Sequence, residues 1–199
     1  MNNFTITSLA PYSLNYLVYI QNSFLSRKGE ANKYPSTHVN WGLLEEAFFC
    51  DTFKAVWSEW MRRLSLDYLS DHNGIIEFER ELFLRLFNQD SQGKKGFKES
   101  KNSFYSWFSS LAGQITIERA FDHMMFYEGD IYNKLASEIN FSDKSNHNLL
   151  ISLIYDDCKL GISEGYYWHS IISLRDLYLD KKSLVTKVAD HWNNNVGGQ

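Results

Sequence analysis

The strongest constraint on this chain is the helical spacing of its large apolar residues. Phe53, Trp57, Trp60 and Leu64 fall at i, i+4, i+7 and i+11, so they share one stripe of a helix. Phe49 and Val56 widen that stripe, while Asp51, Lys54, Ser58, Arg62 and Ser65 follow the opposite face. The pattern predicts a helix over 41–69 with Asn40 as its N-cap, about 43 Å long at about 1.5 Å per residue. Ile75, Phe78, Leu82 and Leu86 predict a second helix over 75–87. The spacing recurs in Phe104, Trp107, Phe108 and Leu111, in Ile117, Phe121, Met124 and Met125, and in Ile131, Leu135 and Ile139. Asn146 is placed to cap a helix over 149–160. Ser163 is placed to cap one that aligns Tyr167, Ile171, Leu174 and Tyr178. Ser183 is placed to cap a last helix carrying Val185, Val188, Ala189 and Trp192.

Period-two alternation is weak throughout. The one short strand the pattern tolerates is at Tyr16–Ile20, inside a first ordered segment that opens after Pro11. The expected fold is therefore all-α: a compact single-domain array of about eight mostly antiparallel helices over 1–199. Within it, 1–87 reads as a long helical hairpin region and 103–193 as a C-terminal helical cluster. Between them 88–102, with Gly93, Gly96, Lys94, Lys95, Lys98 and Lys101, reads as a mobile loop.

The core needs no staple. A chain of 199 residues buries about 70% of its unfolded surface in one core. An aromatic share of 16% supplies large side chains for it. Cys50 and Cys158 lie in apolar segments outside any Cys-x-x-Cys pair, which reads as two reduced, buried thiols. The N-terminal Met1-Asn2-Asn3-Phe4-Thr5 lacks the basic-then-apolar order of a signal peptide, and Leu14–Leu25 is too short to span a bilayer. The expected location is the cytoplasm, with no membrane partner.

Candidate chemistry is sparse. Arg119 and His123 share a helix face with three residues between them, shorter than the Arg-to-His spacing of the HEPN ribonucleases. Asp156-Asp157 lacks a third carboxylate one turn on, where Leu160 stands, so no magnesium site is expected. None of the six histidines has Glu three residues before it, and His-Glu-x-x-His is absent. Gly-x-Ser-x-Gly, Gly-Lys-Ser/Thr and Gly-x-Gly-x-x-Gly are absent too. No metal, cofactor or catalytic residue is assigned.

The most suggestive surface is an acidic-aromatic one. Asp156, Asp157 and Glu164 flank Gly161, and Tyr166-Tyr167-Trp168-His169 follow. Four adjacent residues of one helix cannot all face a core, so Tyr166 or Trp168 is pushed outward. Exposed rings beside carboxylates are a common make-up for a protein interface. The expected interface is Asp156, Asp157, Glu164, Tyr166 and Trp168, facing a basic protein.

With a formal charge of −4 and a pI near 5.9, the chain argues against a nucleic-acid partner, which clustered Lys and Arg would recruit. The expected function is a non-catalytic protein-binding module. An inhibitor, or the immunity protein of a bacterial toxin system, neutralising a basic toxin or nuclease, is the form that suits it best. Two alternatives are a helical enzyme assembled from dispersed groups such as Arg119, His123, Asp157 and His169, and a nucleic-acid regulator using the Lys94–Lys101 segment.

Overall fold

Two segments expected as helices are strands. In the computed structural model the described residues are 5–27, 41–123, 125, 131–140, 148–161, 167–179 and 181–194. Three strands, β1 (Thr5–Leu9), β2 (Asn148–Ile154) and β3 (His169–Ser173), form a parallel sheet in the order β1-β2-β3. The fold is therefore mixed α/β and helix-dominated, and the all-α expectation is corrected. The physical reason lies in β2. Leu149 to Ile154 are all buried, and a central parallel strand covered on both faces is a continuous apolar run rather than an alternating one. Such a run has no period that separates it from a buried helix. The strand tolerated at Tyr16–Ile20 is helix, and the N-terminal strand lies just before it.

The chain divides into two compact units, neither of them contiguous. One comprises 1–10, 114–157 and 165–199; the other comprises 11–113 and 158–164.

The second unit is helical. It contains α1 (Tyr12–Arg27), α2 (Glu46–Leu66), a 3-10 turn at Tyr68–Ser70, α3 (Ile75–Phe78), α4 (Arg80–Leu84) and α5 (Ser91–Phe108). Helix α1 is buried from Ser13 to Leu25 on every face, the condition of a helix at the centre of a core. Its Tyr16 sits against Phe83, Phe97 and Phe104 with ring centroids 5.7, 6.4 and 5.4 Å away. The Tyr16 hydroxyl is 2.9 Å from Ser100 Oγ, and the Tyr19 hydroxyl donates to Ser103 Oγ at 2.9 Å. Helix α2 buries the predicted stripe of Phe49, Phe53, Val56, Trp57, Trp60 and Leu64. Its 21 residues make it about 32 Å long, and its N-cap is Glu45 rather than Asn40, which lies outside the described residues.

The predicted helix over 75–87 is broken at Glu79 into α3 and α4. The break rotates Phe78 off the buried stripe to 79% exposure, whereas Ile75, Leu82 and Leu86 stay buried. The expected mobile loop at 88–102 is mostly α5. Asp90 caps it by accepting from Gly93 N at 2.8 Å. The glycines there serve close packing: a Cβ on Gly96 would meet the carbonyl oxygen of Trp41 at 1.6 Å. Residues 158–164 belong to this unit too, where Leu160 N donates to Gln21 Oε1 at 2.8 Å and Gly161 lies against the Trp57 ring.

The first unit sets the sheet among α6 (Gln114–His123), α7 (Ile131–Glu138), α8 (Leu174–Leu179) and α9 (Lys181–Asn194). Helix α9 buries Leu184, Val185, Val188, Ala189 and Trp192. It also closes the end of α7: Asn193 Oδ1 accepts from Asn140 N at 2.9 Å, and Trp192 Nε1 donates to Asn140 O at 3.1 Å.

Candidate functional site

In an open parallel sheet, ligands tend to gather at the carboxyl ends of the strands. Here those ends carry Asp156 and Asp157 after β2, and Ser173, which closes β3 and opens α8. Ser173 and Asp176 form a capping-box arrangement with Asp in place of Glu: Asp176 N donates to Ser173 Oγ at 3.1 Å, and Ser173 N donates to Asp176 Oδ2 at 3.0 Å. The Ser173 hydroxyl has a single proton and two carboxylates within reach. Asp157 Oδ1 is at 2.6 Å and Asp176 Oδ2 at 2.8 Å. Arg175 lies 3.6 Å from Asp157, and Lys187 lies 3.3 Å from Asp176. Two cations thus balance two carboxylates. Asp157 is tied to the cap of α8, and Asp156 Oδ1 accepts from Asp157 N at 2.9 Å.

Trp168, also expected at the interface, is half-buried and stacks on the His169 ring at 6.2 Å. Its carbonyl accepts from Leu150 N at 2.7 Å, which ties it to the sheet at the amino end of β3. Strand β3 therefore puts Trp168 at the opposite end of the strand from Ser173 and the Asp157 that bonds it. Glu164 and Tyr166 lie outside the described residues.

Inside the sheet is a pair that no sequence motif announces. Register places Ser152 and His169 on one face, and Ser152 Oγ lies 2.9 Å from His169 Nε2. Burial, with the neighbouring His191 adding to it, pushes the His169 pKa down to about 4, so the ring is neutral near pH 7. A neutral imidazole on a serine hydroxyl is the geometry of an activated nucleophile. Both groups are enclosed, however, with Ser152 1% and His169 2% exposed, so the hydroxyl is closed off from solvent. The pair ties two strands together. His191 Nε2, 3.1 Å from the His169 carbonyl, fastens α9 to the same strand. Arg119 and His123, which an enzyme built from dispersed groups would use, are exposed on α6 and do not join this pair. Among the described residues, no three His, Cys, Asp or Glu side chains converge to hold a metal ion, and no helix is long and apolar enough to cross a membrane. Cys50 and Cys158 are half-buried rather than fully enclosed.

The helical unit carries the second candidate. At the elbow where α2 runs into the 3-10 turn and α3, Leu66, Leu69 and Phe78 are 69%, 77% and 79% exposed. Arg63 bridges α2 to Glu79, three residues from Leu66 and one from Phe78. The charges around this elbow are paired among themselves: Arg63 also holds Glu59 at 2.6 Å, Arg85 holds Glu59 at 3.0 Å, Arg80 lies 3.7 Å from Glu77, and Lys101 pairs with Glu77. Sequence periodicity puts Phe78 in the core. Only the break at Glu79 reveals the exposed ring.

Comparisons with protein families, with curated proteins and with solved structures each gave no match.

Proposed function

We propose that this chain is a protein-binding module with no chemistry of its own, and that it docks through the Leu66–Leu69–Phe78 elbow. The observation that supports this is three large apolar side chains, Leu66, Leu69 and Phe78, left exposed along the α2–α3 segment, with the charges of that segment paired as Arg63–Glu59, Arg63–Glu79, Arg85–Glu59 and Arg80–Glu77. That is the composition of a docking face, since apolar anchors supply the energy and paired rim charges cost little to cover. Of the carboxylates expected at an interface, Asp157 also accepts from the Ser173 hydroxyl at the cap of α8. An inhibitor or immunity-type protein in the cytoplasm remains the form of module proposed. The overall charge of −4 is what supports a basic target, by steering it from a distance.

The test is affinity capture from the producing cells with the unchanged chain and with Leu69→Glu/Phe78→Glu. Both positions are exposed, so the variant should fold, which circular dichroism verifies. A protein held by the unchanged chain and lost by the variant supports the elbow. Equal retention by both overturns it.

A further inference from the structure

We infer that the exposed face of α5 is a sequence-independent binding surface for the phosphate backbone of nucleic acid. The inference does not depend on the elbow. The segment that reads from sequence as a basic loop is a helix, and the helix aligns its charges. Lys94, Lys98 and Lys101 fall at i, i+4 and i+7, so they share one stripe about 10 Å long. Lys94 and Lys98 are exposed and pair with no carboxylate among the described residues. Lys101 pairs with Glu77, but Glu77 also holds Arg80 at 3.7 Å, so one carboxylate serves two cations. Glu99 lies about 100° round the helix from Lys98 and pairs with Lys95 at 3.7 Å. Asp90 ends the stripe at the N-cap, where it accepts from Gly93 N. Glu81 is on α4, next to Arg80 in sequence. Like charges at the Lys94–Lys98–Lys101 spacings destabilise a helix, so the stripe repels itself until an anion covers it.

The rest of the face selects the anion. Besides the lysines and Glu99, its exposed side chains are Ser91, Gln92, Asn102 and Ser106. Phe97, Phe104 and Phe108 are buried, and Tyr105 and Trp107 are half-buried. A protein interface needs apolar anchors at its centre, and a helix lying on a membrane needs an apolar side to insert. Phosphate binding needs neither. Lys, Ser, Asn and Gln are side chains that hold a nucleic-acid backbone without reading its bases. A stripe about 10 Å long faces several phosphates of a duplex, which carries one negative charge per roughly 1.7 Å of axis. The charge of −4 belongs to the whole chain, whereas at physiological ionic strength a phosphate senses charges within about 8 Å.

Fluorescence anisotropy with a labelled mixed-sequence DNA duplex tests it. The unchanged chain should bind at about 50 mM salt, and its affinity should fall roughly ten- to forty-fold by about 200 mM, the loss for about two to three phosphates. Lys94→Gln/Lys98→Gln should weaken binding and flatten the logarithmic salt slope by about two, one for each lost contact. That variant should melt no lower than the unchanged chain, because it removes a repulsion. Arg119→Gln/Lys134→Gln takes the same charge from exposed positions on α6 and α7 and should bind as the unchanged chain does. No binding at low salt overturns the inference, as does an unchanged slope in the α5 variant. Equal loss from both double variants would assign the binding to overall charge rather than to the stripe. A glutamate-rich peptide of the same charge that binds as tightly as the duplex would make the partner an acidic protein and overturn the nucleic-acid reading.

Discussion

Ser152 and His169 share a hydrogen bond of 2.9 Å inside the parallel sheet, and burial of the imidazole in that bond favours its neutral form. Its folded pKa, about 4, is below the ordinary value of 6.5, mainly because the ring is buried. In the unfolded chain the ring takes up a proton near pH 6.5; in the folded chain it does not until about pH 4. The unfolded state therefore binds more protons across this window, and stability falls as pH drops through it. The contribution is fully present above pH 6.5 and lost by pH 4, a change of roughly 3 kcal/mol at about 1.4 kcal/mol per unit. Urea midpoints at pH 7 and pH 5 should differ clearly for the unchanged chain and much less for His169→Gln. Parallel curves for the two would show that another group carries the acid sensitivity.

Asp71 caps α1 from 58 residues away. It accepts from Tyr12 N at 2.7 Å and Ser13 N at 3.2 Å, and the Ser13 hydroxyl also reaches it. Burial raises its pKa despite these bonds, so the ionised carboxylate is held at some cost. Asp71→Ala should therefore destabilise by about 0.5–2 kcal/mol, the range for a lost N-cap, and not by the larger figure of a stranded charge. Hydrogen exchange at the Tyr12 and Ser13 amides should speed up more than exchange in α5. Uniform acceleration would mean the effect is global.

Trp60 lies at the centre of the α2 stripe and is 1% exposed, with its Nε1 donating to Ser13 Oγ. Trp60→Ala should cost roughly 3–5 kcal/mol by cavity formation. Trp60→Phe keeps most of the volume and should cost only about 1–2 kcal/mol, mainly the Ser13 bond. A midpoint unmoved by the alanine change would put the stripe at the surface.

The neighbouring aspartates after β2 should behave differently. Asp157→Lys removes the nearer of the two carboxylates that accept from the Ser173 hydroxyl and puts an ammonium beside Arg175, so a loss of about 1–3 kcal/mol is expected. Asp156 accepts from the adjacent backbone, and Asp156→Lys should cost less than about 1 kcal/mol. Thermal melts of the two single variants decide it; equal shifts would remove Asp157 from the cap.

What the sequence revealed was the part governed by one face of one element. The α2 stripe and the α9 stripe were legible because each helix buries a single side, and period 3.6 records that directly. β2 was not, because a strand enclosed on both faces has no period to read. Phe78 was misplaced because the pattern continues through Glu79 although the backbone does not. The Ser152–His169 bond joins two residues 17 apart on adjacent strands, so only strand register reveals it. Asp156 and Asp157 were visible as charges, but the serine that claims Asp157 is 16 residues on.

The order of the strands has a consequence during synthesis. β1 leaves the ribosome long before β2, the strand it pairs with among the described residues, which begins at Asn148, 143 residues after Thr5. At about 5–20 residues per second, Thr5–Leu9 waits roughly 7–30 s with its backbone unpaired. Throughout that interval the nascent chain trails an open strand that any other extended segment can join. The sheet of this protein therefore closes only after β2 and β3, late in the chain, have been made.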